Sequence, residues 1–160
     1  MIVQLKRLFD AAIVPQRGSD LASGFDLHAF DVVKPEHRKD PVDETFRLYI
    51  VQPGERVFIR TGIAVAMPAG MEAQVRPRSG LSLNEGIYVS LGTIDADYRG
   101  DIGITFTNNG DKPFHIFRGD RVAQLVFAPV LHDVKLEELE NLNDTERGNG
   151  GFGHTGRGSL

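Results

Sequence analysis

The sequence predicts an all-β protein in which short antiparallel strands form a sandwich or a barrel. Apolar and polar residues alternate in several short runs, among them residues 46–50, 63–67 and 102–107, and a period of two is typical of half-buried strands. Clusters of turn-forming residues separate these runs at intervals of about 8–12 residues, as in antiparallel β proteins. No amphipathic pattern of helix length alternates with the runs, which argues against a parallel α/β sheet.

The individual strands can be placed from this alternation. In chain order, the strand-like runs cover residues 46–50, 57–60, 63–67, 72–76, 102–107 and 122–127. Turns are predicted at residues 52–55, 68–70, 108–111 and 118–120, because Pro, Gly, Asn and Asp are concentrated there. Residues 31–44 hold two prolines and eight charged residues, so a surface loop is predicted for that segment.

Length and composition exclude several classes of protein. The 160 residues suit one domain, and the absence of Cys excludes disulfides, a thiol nucleophile and Cys-ligated metal sites. The net charge of −4 argues against a nucleic-acid-binding protein. No apolar run approaches the ~20 residues of a membrane span, and the N-terminus shows no signal-peptide pattern. We therefore expect no membrane partner and a location in the cytoplasm, or in a host cell if the source is a virus.

Charge and glycine divide the chain into three parts. Residues 1–132 are almost neutral and are predicted to form the compact β domain, whereas residues 133–146 carry six acids and one Lys and form an acidic connector. Residues 147–160 contain six of the 18 glycines, and such a segment cannot offset its conformational entropy alone. This C-terminal arm is either a flexible tail or a segment that orders on a ligand. Arg147 and Phe152 would suit a nucleotide as that ligand.

Residues 77–81 (PRSGL) are a candidate phosphate-binding segment. They follow a predicted strand and place a guanidinium, a hydroxyl and a glycine amide in consecutive positions, and these groups can converge on a phosphate. The alternative is a plain turn in which Ser79 caps a helix. Asp26 and Gln124 are polar residues inside apolar segments, so each is expected to face a partner or a site.

Residues 92–100 (GTIDADYRG) are a second candidate for chemistry. They lie between strand-like segments and are interpreted as the tip of a β-hairpin. Asp95 and Asp97 are two residues apart and share a face in an extended chain. One of them could act as a general base or help to hold Mg²⁺, which prefers oxygen ligands, while Tyr98 could pack on a sugar. The alternative is a polar turn without a catalytic role.

Taken together, these segments resemble the five sequence motifs of the trimeric dUTPases (dUTP pyrophosphatases). The matching segments occur in the family's order and span nearly the whole chain: residues 22–27 (ASGFDL), 77–81 (PRSGL), 92–100 (GTIDADYRG), 119–125 (GDRVAQL) and 147–156 (RGNGGFGHTG). The resemblance implies a jelly-roll-like antiparallel β barrel or sandwich (β-clip) with a flexible C-terminal arm. It also implies a homotrimer whose active sites are shared between chains.

The reaction implied by the resemblance is the hydrolysis of dUTP to dUMP and pyrophosphate, with Mg²⁺ as cofactor. Asp95 would activate the water that attacks the α-phosphorus, Asp26 would hold Mg²⁺ through water, and Tyr98 would pack under the deoxyribose. The other substrate-binding residues that the resemblance implies are Arg78, Ser79, Gly80, Gly92, Thr93, Ile94, Gly103, Gln124, Arg147, Phe152, Gly153 and Thr155.

Two alternatives stay open at the level of the sequence. The dCTP deaminases share the expected fold, but they carry a catalytic Glu in the strand after the third motif, where this chain has Thr105. Release of ammonia from dCTP would identify such an enzyme. A non-catalytic β module, or a relative that binds nucleotide without turnover, would release no pyrophosphate.

Overall fold

The computed structural model describes residues 2–151, and it confirms the prediction of an all-β fold. The strands within this part of the chain are β1 (Gln4–Arg7), β2 (Gln16–Arg17), β3 (Phe25–His28), β4 (Asp31–Val33), β5 (Leu48–Val51), β6 (Arg56–Arg60), β7 (Ile63–Ala66), β8 (Met71–Arg76), β9 (Ile87–Val89), β10 (Gly92–Ile94), β11 (Gly103–Asn108), β12 (Phe114–Phe117) and β13 (Arg121–Pro129). A 3₁₀ helix covers Pro35–His37, and one α-helix, α1, covers Ser79–Glu85.

The strands form two main antiparallel sheets. Five strands pair in the order β10-β8-β13-β3-β2, and four pair in the order β4-β6-β11-β9. Two further antiparallel pairs, β1 with β7 and β5 with β12, complete the described part. Buried side chains of both main sheets, such as Leu27, Val75, Ile59 and Phe106, belong to a single hydrophobic cluster. Burial alternates along β11, as the sequence pattern predicted for a strand of an antiparallel sandwich or barrel.

The prediction of a surface loop over residues 31–44 is wrong for its first three residues. These form β4, which pairs with β6, and Asp31 is only 1% exposed. A carboxylate tolerates such burial when it has a partner, and Arg60 Nε lies 3.5 Å from Asp31 Oδ2. Arg60 also donates hydrogen bonds to the carbonyl oxygens of Asp40 (2.8 Å) and His37 (3.2 Å). The rest of the charged segment is therefore tied to the sheet.

The predicted hairpin around residues 92–100 is present in a modified form. β9 and β11 pair antiparallel, and residues 90–102 connect them. This connection contains β10, which pairs with β8 of the other main sheet. The connection therefore bridges the two sheets, whereas the sequence pattern suggested a simple turn.

The helix α1 begins at Ser79, so Ser79 is not its N-cap. Arg78 is the capping residue, with an extended backbone and no capping hydrogen bond from its side chain. The helix ends at Glu85 and is capped by Gly86, whose φ of 67° is the left-handed conformation that glycine adopts readily. Within residues 2–151, neither helical segment is long and apolar enough to cross a membrane.

Candidate active site

A β-bulge in β13 brings polar side chains of two strands to one face of the five-stranded sheet. Gln124 lies opposite Asp26, and Arg121 lies opposite His28, with a register shift between Arg121 and Ala123. Arg121 and Gln124 are three residues apart, so in a regular strand they would point to opposite faces. The extra residue in the bulge turns Arg121 to the face that carries Asp26.

Asp26 lies between two guanidinium groups. Its Oδ1 is 3.3 Å from Arg78 Nε, its Oδ2 is 3.3 Å from Arg121 Nη1, and its side chain is 18% exposed. The carboxylate therefore has partners for both oxygens and holds the two cations near one another. Burial lowers the pKa of the neighbouring His28 below its ordinary value, which favours the neutral imidazole beside this pair of cations.

A pocket with a volume of about 370 Å³ opens beside this ion pair, and we call it the Arg78 pocket. Its lining consists of Asp26, Arg78, Ser79, Gly80, Leu81, Asn84, Glu85 and Gln124. Ser79 and Gly80 reach it because α1 starts directly after β8 and residues 77–78. Gln124 Nε2 donates to the carbonyl oxygen of Pro77 at 2.9 Å, which attaches this segment to β13.

The structure thus places five residues of the sequence prediction in one pocket: Asp26, Arg78, Ser79, Gly80 and Gln124. Three further residues at this site were missed, namely Asn84, Glu85 and Arg121. Asn84 follows Gly80 by four residues, so it lies on the same face of α1, and a predicted helix would have identified it. Arg121 reaches the site through the bulge, for which the sequence carries no clear signal.

The second group of predicted residues lies on residues 95–101, which we call the Tyr98 loop. Asp95 and Tyr98 are exposed. The Tyr98 hydroxyl donates to the carbonyl oxygen of Asp101 at 3.2 Å. The ring covers Gly100 so closely that a Cβ there would lie 2.3 Å from the hydroxyl oxygen. The Tyr98 ring therefore packs against its own loop and is partly exposed to solvent.

The strands that flank the Tyr98 loop carry the remaining predicted residues of this motif. Thr93 is exposed and Ile94 is buried. A Cβ on Gly103 would lie 2.1 Å from Cζ of Phe58, so packing within the chain explains that glycine. By contrast, a Cβ on Gly92 would meet Val75 at an ordinary 3.5 Å, and the described part of the chain gives no steric reason for glycine there.

The Arg78 pocket and Asp95 lie at opposite ends of β8. β10 pairs antiparallel with β8 so that Ile94 is opposite Ala73, which places Asp95 near the start of β8. Arg78 lies beyond the other end of β8. At about 3.3 Å per residue, the two positions are separated by roughly 15–20 Å. One chain therefore does not bring Asp95 to its own Arg78 pocket.

The C-terminal part contributes no residue to the pocket in the described structure. Residues 133–146 are exposed and form neither helix nor strand. Arg147 is exposed, and its Nε donates to the carbonyl oxygen of Gly150 at 2.8 Å. The other predicted arm residues, Phe152, Gly153 and Thr155, lie outside the described residues. Between residues 2 and 151, no group of three or more His, Asp or Glu side chains is arranged to hold a metal ion.

Comparison with known proteins identifies the family. The dUTPase family profile matches residues 44–156. A deoxyuridine 5'-triphosphate nucleotidohydrolase of Heliobacterium modesticaldum is 59% identical over 158 residues, which cover 98% of this chain and 97% of that protein. Its namesake from Syntrophotalea carbinolica is 47% identical over 156 residues, 96% of each chain. The structure of Staphylococcus bacteriophage 80alpha dUTPase with dUPNHPP matches with a TM-score of 0.81 at 26% identity, covering 98% of this chain and 99% of that one. The chain therefore belongs to the dUTPase family of enzymes.

Proposed function

We propose that this chain hydrolyses dUTP to dUMP and pyrophosphate, which would keep uracil out of DNA and supply dUMP for thymidylate synthesis. The observation that carries the proposal is the Arg78 pocket, where a guanidinium, a hydroxyl and a side-chain amide line one cavity. These are the groups that bind phosphate oxygens. Two relatives named for this hydrolysis match almost the whole chain, which supports the same substrate here.

The phosphates would bind in the Arg78 pocket. The ion pair with Asp26 orients the Arg78 guanidinium before substrate arrives, so little ordering remains to be done on binding. Ser79 supplies a hydroxyl, and the backbone N–H of Gly80 belongs to the first turn of α1, where amides have no acceptor within the helix. Gln124 is held at the pocket by its bond to Pro77 and would complete the set of donors.

Asp95 is proposed as the general base. It would accept the proton of a water whose oxygen forms the bond to the α-phosphorus. The bond from that phosphorus to the oxygen bridging to the β-phosphorus breaks, and pyrophosphate leaves. Such a displacement depends on positioning and on charge stabilisation and needs no covalent intermediate. The absence of Cys from the sequence is therefore no obstacle to the reaction.

Base and sugar would be recognised beside the Tyr98 loop. β10 is an edge strand whose only partner in the described sheet is β8, so one row of its backbone N–H and C=O groups is available to another partner. We propose that Gly92, Thr93 and Ile94 present these groups to the edge of uracil. The Tyr98 ring would pack beneath the deoxyribose and leave no room for a ribose 2′-hydroxyl, and Gly103 would support the same strand tip.

Mg²⁺ is proposed as the cofactor, and the residues fit it. Mg²⁺ usually keeps several of its waters and binds through one or two carboxylates together with substrate phosphates, so a protein cage of three ligands is not required. Asp26 faces the pocket and is 18% exposed, which allows its oxygens to accept hydrogen bonds from the ion's water shell. When bound, the ion offsets negative charge on the triphosphate.

A homotrimer with shared sites is proposed from the separation of Asp95 and Arg78. Because these residues lie at opposite ends of β8, a complete site requires the Tyr98 loop of one chain next to the Arg78 pocket of another. The exposed connector at residues 133–146 would then carry the C-terminal arm to a neighbouring site. There, Arg147, Phe152, Gly153 and Thr155 would close over the phosphates and the base and exclude bulk water.

The test is pyrophosphate release from dUTP, dTTP, dCTP and UTP, with and without Mg²⁺. We expect turnover of dUTP alone, dependent on Mg²⁺. Asp95→Asn should abolish turnover while nucleotide binding is kept, and Asp111→Asn, an exposed carboxylate in the turn after β11, serves as the matched control. Unchanged turnover in the Asp95 variant would remove the base assignment, and ammonia release from dCTP would identify a deaminase.

Assembly and the arm are tested separately. Equilibrium sedimentation should give three times the chain mass, and a mass equal to one chain would contradict the shared site. Removal of residues 147–160 should abolish turnover without changing that mass. A truncated chain with full activity would contradict a closing role for the arm.

A further inference from the structure

The carboxylate of Asp101 attaches the Tyr98 loop to the turn between β6 and β7. Its Oδ1 accepts hydrogen bonds from the backbone N–H of Gly62 (2.9 Å), the backbone N–H of Ile63 (3.3 Å) and the hydroxyl of Thr61 (3.1 Å). The Thr61 hydroxyl shares its proton with the carbonyl oxygen of Ile102, which lies 2.8 Å away. The next residue continues the attachment, since Ile102 N donates to the Ile63 carbonyl oxygen at 2.8 Å. The end of the loop is thus fixed by side-chain and main-chain bonds together.

The turn that receives these bonds is itself rigidly placed. Gly62 has a φ of +69°, and a Cβ there would lie 2.9 Å from the Cβ of Ala12. Thr61 is only 2% exposed. The carbonyl oxygen of Gly62 accepts a hydrogen bond from Leu8 N at 2.8 Å. The Asp101 carboxylate is therefore bonded to a turn that is itself fixed by tight packing and by a main-chain hydrogen bond.

Asp101 is in turn connected to the two residues proposed for chemistry. Its carbonyl oxygen accepts the Tyr98 hydroxyl at 3.2 Å, and Tyr98 N donates to the Asp95 carbonyl oxygen at 3.1 Å. Among the described residues, the Asp101 carboxylate makes every side-chain hydrogen bond that leaves residues 95–101 for another part of the chain. The bonds of Arg99 stay inside the loop.

We propose that Asp101 is a positioning residue for the reaction, which holds Tyr98 and Asp95 in the geometry that receives the deoxyribose and the attacking water. It does not touch substrate, and its carboxylate acts through the loop backbone. This role rests on the proposed hydrolysis of dUTP. The loop exposes four residues, at positions 95 and 97–99, so it depends on these hydrogen bonds for its position. That position matters because a displacement of about 1 Å at a reacting group can lower a rate about 100-fold.

The experiment compares Asp101→Ala and Asp101→Asn with the wild-type chain. In each, kcat and KM are measured for dUTP and UTP beside a thermal unfolding curve. The Ala variant should lose about 10- to 100-fold in kcat for dUTP and show a narrower preference for dUTP over UTP. The Asn variant should keep most of the wild-type kcat and most of the preference for dUTP over UTP, because its amide oxygen can accept the same three hydrogen bonds. Asp111→Ala, with an exposed side chain, should match the wild type.

The outcomes separate positioning from stability. If Asp101→Ala unfolds at a lower temperature but keeps the wild-type kcat and substrate preference, Asp101 is structural only and the proposal is overturned. If the wild-type chain itself releases no pyrophosphate from dUTP, the proposed function is overturned and the positioning role with it. A hydrolysing wild type beside an unaffected Ala variant overturns the positioning role alone.

A second variant keeps the test decisive if Asp101→Ala does not fold. Thr61→Val has nearly the same shape and removes a hydroxyl that donates both to the Asp101 carboxylate and to the carbonyl oxygen of Ile102, at the end of the loop. A smaller loss in the same direction, in kcat and in the preference for dUTP, is expected. An unaltered kcat and preference in Thr61→Val would contradict the proposal.

Discussion

Gly24 lies directly against the side chain of Gln124. A Cβ added to Gly24 would be 2.2 Å from Oε1 and 3.0 Å from both Cβ and Cδ of Gln124. The same amide donates through Nε2 to the carbonyl oxygen of Pro77. Glycine at position 24 therefore makes room for the side chain that joins β13 to the start of the Arg78 pocket.

Gly24→Ala is expected to displace Gln124 and weaken substrate binding. Overpacking of this kind destabilises by about 1–3 kcal/mol, and loss of a placed donor should raise KM for dUTP about tenfold. Steady-state kinetics and urea unfolding measure the two effects. Gly18→Ala is the control, because no atom of residues 2–151, the chain neighbours aside, lies within 4 Å of a Cβ at that position. Equal KM values in the two variants would argue against this role for Gln124.

Gly80→Ala should stabilise the chain and weaken its binding of dUTP. Among the described residues, no atom outside the chain neighbours and the backbone of α1 lies within 4 Å of a Cβ at Gly80, and Ala in place of Gly in a helix stabilises by roughly 0.5–1 kcal/mol. The new methyl group would occupy the space through which a phosphate approaches the backbone. We expect a higher melting temperature with a raised KM for dUTP. A variant that is more stable and binds dUTP normally would remove Gly80 from the substrate-binding residues.

Six of the 13 strands in the described residues were predicted as runs of alternating residues, because alternation is a local property. The predicted runs at residues 57–60, 63–67 and 102–107 differ from β6, β7 and β11 by no more than one residue at either end. The loop prediction was wrong at Asp31 because the contact that explains the burial of Asp31 is not local. Its charge suggested a loop, whereas its partner Arg60 lies on another strand, and no local pattern reveals such a pair.

The site was predictable in part for the same reason. Arg78, Ser79 and Gly80 are consecutive, so their chemistry is visible in the sequence. The meeting of Asp26 with Gln124 depends on the register of β3 and β13, and only the resemblance to a family placed them together. The contacts of Asp101 with the β6–β7 turn join distant positions and had no signal in the sequence.

The buried pair of Arg60 and Asp31 predicts an asymmetric effect of substitution. Arg60→Met leaves the Asp31 charge buried without its partner, which should lower the free energy of unfolding by about 3–5 kcal/mol. The double variant with Asp31→Asn should recover part of this loss, because the buried charge is then absent. Urea unfolding measures both, with the exposed Arg56→Met as control. A double variant less stable than Arg60→Met alone would contradict this account.

Asp101 also predicts a dependence of stability on pH. Burial raises the pKa of Asp101 above its ordinary value, so the folded chain binds this proton more tightly than the unfolded chain does. The contribution of the carboxyl to stability is therefore lost as pH rises from about 4 through the raised pKa. Asn at this position has no such proton. Across that window, the melting temperature of Asp101→Asn minus that of the wild type should increase, and calorimetry showing a decrease would contradict the sign.

The placement of Asp95 and Arg78 at opposite ends of β8 has a consequence for mixtures of variants. In the proposed homotrimer, Asp95→Asn chains and Arg78→Ala chains would each assemble without an intact site. In a trimer assembled from both, an intact Asp95 of one chain can meet an intact Arg78 of another, at about one site in four for equal mixing. Two inactive preparations that are unfolded and refolded together should therefore complement each other, and lasting inactivity would place both residues within one chain's site. The unit that evolution selects for catalysis would then be the junction between two chains.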